Sequence, residues 1–173
     1  MEEMLDVFDI NGNYLGVKSR TFCHSENPGV YHKPVWIWII NSKGEVLVQK
    51  RAKMKKKAPG KYDMPSAGHV DAGESSISGC IRETYEELGI RTKEEDYIFL
   101  TEYFAKDAWE FGQVYLLKVD VDIKGIKLQE EEVECVKWLS YNEFVDLLYS
   151  DQFCSHDKEY KDYVANVLKE YTK

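Results

Sequence analysis

The spacing of hydrophobic residues along the chain predicts where its strands and helices lie. Short apolar or alternating runs between turn residues, typical of strands, occur at 5–20 as a hairpin around Asn11-Gly12, and at 35–40, 45–51, 97–104, 111–121 and 133–139. The run at 35–40, VWIWII, is continuously apolar, so it predicts a strand buried on both faces. Apolar residues recur at helical spacing around 77–88, 141–149 and 160–171, which are therefore predicted helices.

The two helices predicted near the C-terminus carry further signals. Ser140 followed by Glu143 forms a capping box, and Leu139 and Phe144 have the spacing of a hydrophobic staple around it. The last helix has its apolar side chains on one stripe, so we expect it to pack against the sheet. That stripe consists of Tyr160, Tyr163, Val164, Val167, Leu168 and Tyr171.

The helix around 77–88 has two faces of opposite character. At about 100° per residue, Glu83, Glu86 and Glu87 fall within an arc of roughly 100°. The other face carries Ile77, Ile81, Tyr85 and Leu88. Like charges on adjacent turns repel, and Mg²⁺ or Mn²⁺ between them would offset this while also binding substrate phosphates. The pattern therefore indicates a phosphate ester or anhydride as substrate; a solvated acidic face is the alternative interpretation.

Residues around this helix fit the metal-site interpretation. Arg82 is adjacent to the acidic arc, and we expect it to hold Glu83 through a bidentate pair. Gly89 fits a left-handed helix stop, and Gly68 permits a tight turn before the helix. Such a turn leaves the Gly68 carbonyl free to face the metal.

Composition narrows the class of protein. The 173 residues, of which 43% are hydrophobic, suffice for one domain at 1–173. A net charge of −8 argues against general affinity for nucleic-acid polymers. The N-terminus is acidic and no apolar stretch is long enough to span a membrane, so we expect a soluble cytoplasmic protein. The four cysteines form no CxxC pair and are expected to be reduced and mostly buried.

Basic residues are concentrated between positions 50 and 61. This tract contains no acidic residue and has Lys50, Arg51, Lys53, Lys55, Lys56, Lys57 and Lys61. It precedes the acidic helix, so it either contacts the substrate's phosphates or forms a solvated loop. Arg51 is the first candidate for phosphate contact because it follows a strand directly, and Lys61 is the second.

Two histidines and three glutamates lie in segments where the spacing of hydrophobic residues predicts neither a strand nor a helix. His24 and His32 are in the segment 21–33, which has no metal-ligand spacing, so we expect them to be satisfied loop histidines. Glu130, Glu131 and Glu132 precede the strand at 133–139 and are consistent with a plain solvated turn.

The glycines, arginine and glutamates of 68–90 resemble the signature of the Nudix hydrolases, G-x5-E-x7-R-E-U-x-E-E-x-G-U, where U is aliphatic. Every fixed position matches: Gly68, Glu74, Arg82, Glu83, Glu86, Glu87 and Gly89. Ile90 occupies the second U, whereas Thr84 replaces the aliphatic residue at the first. Threonine is β-branched and near valine in size, so we expect a weaker core contact at Thr84.

The resemblance implies an α/β fold, an α/β/α sandwich with a mixed central sheet, in which 31–173 is the core and 1–30 an N-terminal extension. It also implies hydrolysis of a nucleoside diphosphate linked to another group, with Mg²⁺ or Mn²⁺ as cofactor. The expected partner is thus a small-molecule diphosphate, and not a nucleic-acid polymer or a membrane. A homodimer is the default expectation.

The resemblance also implies roles for individual residues. Glu83, Glu86 and Glu87 are the implied metal ligands, together with the Gly68 carbonyl, and Glu83 is a candidate base. Glu74 is expected to support the loop through Arg82. Related hydrolases recruit a glutamate from the loop at 130–132 as an extra metal ligand or base, for which Glu131 or Glu132 is the candidate.

A wider resemblance, to the branch related to type 1 isopentenyl-diphosphate isomerases, covers the segments 35–51, 59–75 and 109–119. In the isomerases a catalytic cysteine lies two residues before the histidine of the segment that matches SAGHV; here Ala67 stands there. Glu110 corresponds to the isomerase's catalytic glutamate. A proton relay without the thiol does not favour isomerisation, so we expect a hydrolase, with isomerase and non-catalytic nucleotide binding as alternatives.

The sequence leaves the leaving group open. ADP-ribose, nucleotide sugars, dinucleoside polyphosphates, coenzyme A and free nucleoside di- or triphosphates all present the same diphosphate to the motif, and selectivity comes from loops. Candidates for base stacking are Tyr31, Trp36, Trp38, Tyr62, Tyr103 and Trp109, most of which we expect in the core.

Overall fold

The computed structural model describes residues 2–173, with a seven-stranded central sheet and a separate two-stranded hairpin. The strands are β1 (Met4–Phe8), β2 (Tyr14–Ser19), β3 (Val35–Ile40), β4 (Val46–Arg51), β5 (Tyr62–Asp63), β6 (Ser66–Gly68), β7 (Tyr97–Ala105), β8 (Glu110–Lys118) and β9 (Val133–Leu139). The α-helices are α1 (Arg20–Cys23), α2 (Ser76–Leu88), α3 (Tyr141–Leu148) and α4 (Lys158–Tyr171). Short 3₁₀ helices span Glu94–Asp96, Lys106–Ala108 and Ile123–Gly125.

The central sheet is mixed. Its strands follow the order β5-β4-β3-β8-β7, with β6 paired to β3 and β9 paired to β4. β3 and β8 run parallel, and the other pairs are antiparallel. In the separate hairpin, β1 and β2 pair antiparallel on either side of Asn11-Gly12. The strands predicted from the hydrophobic pattern are therefore confirmed.

The alternation of side chains along β3 explains the layers of the fold. Val35, Ile37 and Ile39 pack in one core with residues of α2. Trp38 and Ile40 point to the opposite face and pack in a second core with α3 and α4. Successive side chains of a strand point to opposite faces, so a continuously apolar strand can carry helices on both sides. The predicted α/β/α sandwich is confirmed.

The ends and faces of the helices follow local rules. The Ser140 backbone N–H donates to Glu143 Oε2 at 2.9 Å, and Ser140 Oγ accepts from the Glu143 N–H at 3.4 Å, so the capping box of α3 is confirmed. α4 buries one stripe that includes Tyr160, Val164 and Leu168. Tyr85, on the apolar face of α2, is 47% exposed and packs under the Arg91 guanidinium.

Thr84, at the one position that departs from the signature, is fully buried. Its hydroxyl is hydrogen-bonded to the Tyr97 hydroxyl at 2.9 Å, and Tyr97 donates to the Cys80 carbonyl at 3.1 Å. A buried hydroxyl is tolerated when it is hydrogen-bonded. The expected weaker apolar contact is thus accompanied by a polar one that the sequence did not indicate.

The cysteines are free thiols, as expected: Cys23, Cys80 and Cys154 are buried, and Cys135 is partly buried. Among residues 2–173, none of the helices combines the length and the apolar character needed to cross a bilayer.

Candidate active site

Helix α2 holds the signature carboxylates in a fixed position because both of its ends are defined. At the N-terminus, Ser75 Oγ accepts from the Ser78 N–H at 3.2 Å. At the C-terminus, Gly89 adopts φ 65°, the left-handed conformation that glycine takes without strain. Between these caps, one face of the helix carries the glutamates toward β6.

Arg82 links the loop before the helix to the carboxylates on it. Its guanidinium makes a bidentate pair with Glu74, with Nε to Oε1 at 3.1 Å and Nη2 to Oε2 at 2.8 Å. Nη2 also donates to the His69 carbonyl at 2.8 Å, and Nη1 donates to Glu83 Oε1 at 2.7 Å. The predicted support of the loop by Glu74 fits this geometry. The bidentate pair, however, is formed with Glu74 and not with Glu83, because the fork of Arg82 faces the loop.

Gly68 ends β6 directly against Glu83. A Cβ atom at this position would overlap the Glu83 carboxylate group. Only glycine lets the backbone approach this closely. The first glycine of the signature therefore has a steric reason, since the absence of a side chain makes room for the Glu83 carboxylate.

Glu87 is the most buried of the three carboxylates, at 8% exposure. Its Oε2 accepts a hydrogen bond from the Ala67 N–H at 3.2 Å. Burial, and then the nearby charge of Glu83, raises the pKa of Glu87 to about 8. Within residues 2–173, no cationic side chain forms an ion pair with this carboxylate.

Glu83 and Glu86 differ from Glu87 in their surroundings. Burial raises the pKa of Glu83, against the lowering effect of its hydrogen bond with Arg82. Glu86 lies on the more exposed side, with Oε2 at 3.5 Å from Arg82 Nη1. A buried carboxylate without its own cation, beside two others, is the donor set that a hard divalent cation prefers. The residues present therefore fit Mg²⁺ or Mn²⁺.

Three cavities meet beside α2. The carboxylate cavity, about 370 Å³, contains Glu83, Glu86 and Glu87. The basic cavity, about 820 Å³, is lined on one side by Arg20, Arg51, Lys55, Lys56 and Lys57. The aromatic cavity, about 730 Å³, is lined by Trp36, Tyr103, Phe104 and Tyr160. Ala67 lines all three, so the residue at the isomerase cysteine position lies where they join.

The predicted phosphate-binding residues lie in different places. Arg51 lines the basic cavity, although its Nη1 is 3.3 Å from Asp63 Oδ2 and its Nε donates to the Lys57 carbonyl at 3.2 Å. Lys61 lines none of the three cavities. It connects β4 to β5 instead, because its carbonyl accepts from the Arg51 N–H. Lys55, which the sequence did not single out, lines both the basic and the carboxylate cavities.

The two candidate glutamates of the acidic loop before β9, Glu131 and Glu132, line different cavities. Glu131 lines the basic cavity but not the carboxylate cavity, whereas Glu132 lines both. Glu132 also forms an ion pair with Lys55. The Glu132 carbonyl accepts from the Ala52 N–H at 2.9 Å, which fixes this residue at the edge of β4. Glu132, and not Glu131, is therefore placed to complement the three carboxylates of α2.

Glu110, the predicted counterpart of the isomerase glutamate, lines both the basic and the aromatic cavities. Its Oε1 lies 3.4 Å from Nε2 of His32. Trp36 and Tyr103 also face the aromatic cavity, with ring centroids 6.2 Å apart. Trp38, in contrast, is fully buried, as expected for most of the aromatic candidates.

Three histidines form a cluster that sequence analysis missed. One ligand atom from each of His24, His32 and His69 lies within 4.8 Å of the others, a spacing that can hold a metal ion. His24 Nε2 and His69 Nε2 are 2.9 Å apart. His32 is 2% exposed, and neither of its ring nitrogens has a hydrogen-bond partner among residues 2–173. The expectation of satisfied loop histidines was wrong for His32.

The environment of this cluster disfavours the charged form of two of its imidazoles, those of His24 and His69. Burial, followed by the electrostatic effect of the neighbouring His32, lowers the pKa of His24. Burial and the same neighbour lower the pKa of His69 to about 3. A neutral imidazole has a free nitrogen lone pair and is a common metal ligand. No sequence signal marks the cluster, because its members are far apart in the chain and match no ligand spacing.

The chain is similar in sequence to known proteins. The family model described as NUDIX domain matches residues 30–161. The chain is 35% identical over 159 residues to Nudix hydrolase 3 of Arabidopsis thaliana, an alignment that covers 85% of this chain but only 20% of that protein. It is 28% identical over 150 residues to the isopentenyl-diphosphate Delta-isomerase of Serratia proteamaculans, covering 84% of this chain and 81% of that one.

A solved structure has a similar fold. The crystal structure of a Deinococcus radiodurans protein superimposes with a TM-score of 0.73 at 20% identity, covering 97% of this chain and 98% of that one. The family model covers well over half of the chain, and its matched region contains the complete signature from Gly68 to Ile90. This chain therefore belongs to the Nudix family.

Proposed function

We propose that this protein is a Mg²⁺- or Mn²⁺-dependent hydrolase that cleaves a phosphoanhydride bond in a nucleoside diphosphate derivative. The observation that carries the proposal is the meeting of two cavities of opposite charge. The carboxylate cavity opens into the basic cavity, since Lys55, Gly68 and His69 line both. A divalent cation neutralises the first, and the phosphates of a substrate neutralise the second.

The residues of α2 would hold the metal and orient the reaction. Glu83, Glu86 and Glu87 are the proposed ligands, with the Gly68 carbonyl beside them. When bound, the metal would neutralise charge on the phosphoryl oxygens and activate water. Arg82 holds Glu83 through a 2.7 Å hydrogen bond, which leaves the other Glu83 oxygen free to accept a proton from attacking water.

The charges of the cavities orient the substrate. In the basic cavity, Arg51 and Lys55 supply donors for the diphosphate. The aromatic cavity holds more carboxylates than cations, including Asp107, Asp157 and Glu159, and so disfavours phosphates. The group attached to the diphosphate would therefore lie in the aromatic cavity.

An isomerase is the second candidate function, favoured by the named isomerase among the relatives. Ala67 argues against it, because a methyl group cannot transfer a proton. Cys80 cannot replace the missing thiol, since it is fully buried on α2 and lines none of the three cavities. Burial also raises the pKa of the Cys80 thiol.

The histidine cluster supports a second metal in the same cleft. Imidazole nitrogens suit zinc, copper, iron or nickel, whereas carboxylate oxygens suit Mg²⁺ and Mn²⁺. Glu110, 3.4 Å from His32, supplies an oxygen at the edge of the cluster. We propose that a transition metal there joins the loop containing His24 to the segment after β6.

The test is a screen of nucleoside diphosphate derivatives with Mg²⁺ or Mn²⁺, in which the two phosphate-monoester products are detected as phosphate released by added alkaline phosphatase, with isopentenyl diphosphate assayed for isomerisation in parallel. Wild type is compared with Glu87→Gln, and Glu95→Gln, on the exposed surface, is the matched control. Metal-dependent release that is lost in Glu87→Gln and kept in Glu95→Gln supports the proposal.

Other outcomes separate the alternatives. Isomerisation without phosphate release would replace the hydrolase by the second candidate. Binding of a nucleotide without product under either metal would favour a non-catalytic role. Phosphate release that persists in Glu87→Gln would remove the helix carboxylate from the mechanism.

A further inference from the structure

The N-terminal hairpin lies outside residues 30–161, which the family model matches, yet it reaches the candidate active site. Arg20, the first residue of α1, lines both the basic and the carboxylate cavities. Glu3, just before β1, lines the carboxylate cavity. The extension therefore brings two charged side chains to the place where metal and phosphate would meet.

Backbone contacts fix the hairpin to the loop that precedes α2. The Ala72 N–H donates to the Met4 carbonyl at 2.8 Å, and the Gly73 N–H donates to Asp6 Oδ2 at 3.0 Å. Leu5 in the same strand is 1% exposed and forms an isolated bridge with Asp71. These contacts give the hairpin a defined position relative to the signature loop.

Glu3 connects this hairpin to the loop with both of its carboxylate oxygens. Oε2 accepts from Arg20 Nη1 at 3.0 Å, and Oε1 lies 3.0 Å from Nδ1 of His69. The His69 carbonyl in turn accepts from Arg82 Nη2 at 2.8 Å. One carboxylate thus holds both a cation at the cavity wall and the residue that follows Gly68.

Arg20 has donors left for a ligand. Its side chain is 56% exposed, and Nη1 is its only nitrogen with a hydrogen-bond partner among residues 2–173. A guanidinium offers five N–H donors in a planar fork that matches two phosphate oxygens. Since one edge of the fork is held by Glu3, the remaining donors are restricted in direction before any ligand binds.

We propose that Arg20 is a phosphate-binding residue of this site, and that Glu3 is its positioning residue. The inference rests on the proposed hydrolase function for the identity of the substrate as a diphosphate. Part of the binding site for that diphosphate would then lie before residues 30–161, the region that the family model matches. An ordinary surface ion pair, the alternative, would affect neither binding nor turnover.

The direct test is calorimetric binding of inorganic pyrophosphate, in the presence of Mg²⁺, to the full chain. We expect Arg20→Met to weaken binding about tenfold, Arg20→Lys to restore part of it, and Glu3→Gln to weaken it about threefold. Lys18→Met is the matched control, because Lys18 is an exposed cation of the same hairpin that lines neither cavity. Unchanged thermal unfolding of all four variants confirms that they fold.

Kinetics give a second measurement, with whichever substrate the screen identifies. Arg20→Met should raise KM about tenfold while kcat stays within about twofold, as for a group that binds ground state and transition state equally. Pyrophosphate binding to Arg20→Met that equals wild type, or a wild type that does not bind pyrophosphate, would overturn the assignment. Weakened pyrophosphate binding without hydrolysis of any substrate would keep Arg20 as a phosphate ligand and reject the hydrolase.

Discussion

The carboxylates of α2 and the three histidines beside them are both candidate metal ligands, but the chain brings them together differently. Glu83, Glu86 and Glu87 share one helix and one short stretch of sequence. His24, His32 and His69 come from a loop, a strand edge and the segment after β6, and meet only in the folded protein. The glutamates therefore show a helical period in the sequence, whereas the spacing of the histidines follows no recognisable pattern.

The two sets also differ in chemistry. The α2 carboxylates are hard oxygen donors. The most buried of them, Glu87, forms no ion pair with a cationic side chain among residues 2–173. The imidazoles are nitrogen donors, and burial lowers the pKa of two of them, His24 and His69. Adjacent sites of different donor type are expected to select different metals, because selectivity follows ligand type and geometry.

The largest effect is expected at the carboxylate site. Glu87→Gln removes a proposed ligand at nearly constant shape, so Mg²⁺-dependent hydrolysis should fall about 10³-fold. The histidine cluster keeps its ligands in this variant and should still bind Co²⁺, seen in its visible absorption. Loss of both properties together would show that the two sites depend on each other.

Gly68→Ala tests the steric reason for the signature glycine. Its Cβ would collide with the Glu83 carboxylate, so we expect hydrolysis to fall about a hundredfold while the protein still folds. Gly125→Ala is the matched control, because a Cβ there meets no atom within 4 Å and its φ is not positive. Equal activity of the two variants in the phosphate-release assay would contradict the close-approach argument.

His24→Asn tests whether the carboxylate site stays active when the histidine cluster loses a ligand. This side chain is exposed and contributes one of the three imidazoles, so the variant should lose about tenfold in Co²⁺ affinity by spectroscopic titration. Hydrolysis with Mg²⁺ should stay within about threefold of wild type. A drop in hydrolysis as large as that of Glu87→Gln would assign the histidines to the catalytic step.

The smallest expected effect is on how the free energy of unfolding depends on pH in the absence of metal. Burial raises the pKa of Glu87 in the folded protein to about 8, from the 4.5 of an unperturbed glutamate. Between these values the folded state binds more protons, so the free energy of unfolding falls as pH rises, by at most about 1.4 kcal/mol per pH unit. Burial raises the pKa of Glu83 as well, and it acts in the same direction.

Urea unfolding in EDTA at about pH 5 and about pH 8 measures this dependence. Wild type should lose more stability than Glu87→Gln over that interval, since the amide does not titrate. An equal loss in both proteins would mean that other groups control the pH dependence.

Much of the fold was predictable because it rests on short-range patterns. The continuous run of β3, the turn at Asn11-Gly12 and the capping box at Ser140 each specify a local conformation. Tyr85 lies at the edge of the apolar arc, where periodicity alone does not decide burial.

For the site as well, predictions from helical spacing agreed with the structure better than predictions for loop residues did. The spacing of glutamates on one helix predicted a shared acidic face, and the face lines one cavity. Arg82, in contrast, was expected to form a bidentate pair with Glu83, but it donates one hydrogen bond to Glu83 and forms its bidentate pair with Glu74. Lys61 and Glu131 were chosen from unpatterned loops, whose direction depends on the strands they connect.

The sequence by itself determined the order of strands and helices and the acidic face of α2. These depend on backbone preferences and on neighbours within a few residues. Only the tertiary structure decided that β1, α1 and β6 bring Glu3, Arg20 and the histidines to that face. Such contacts depend on how separate elements pack, and no local spacing encodes them.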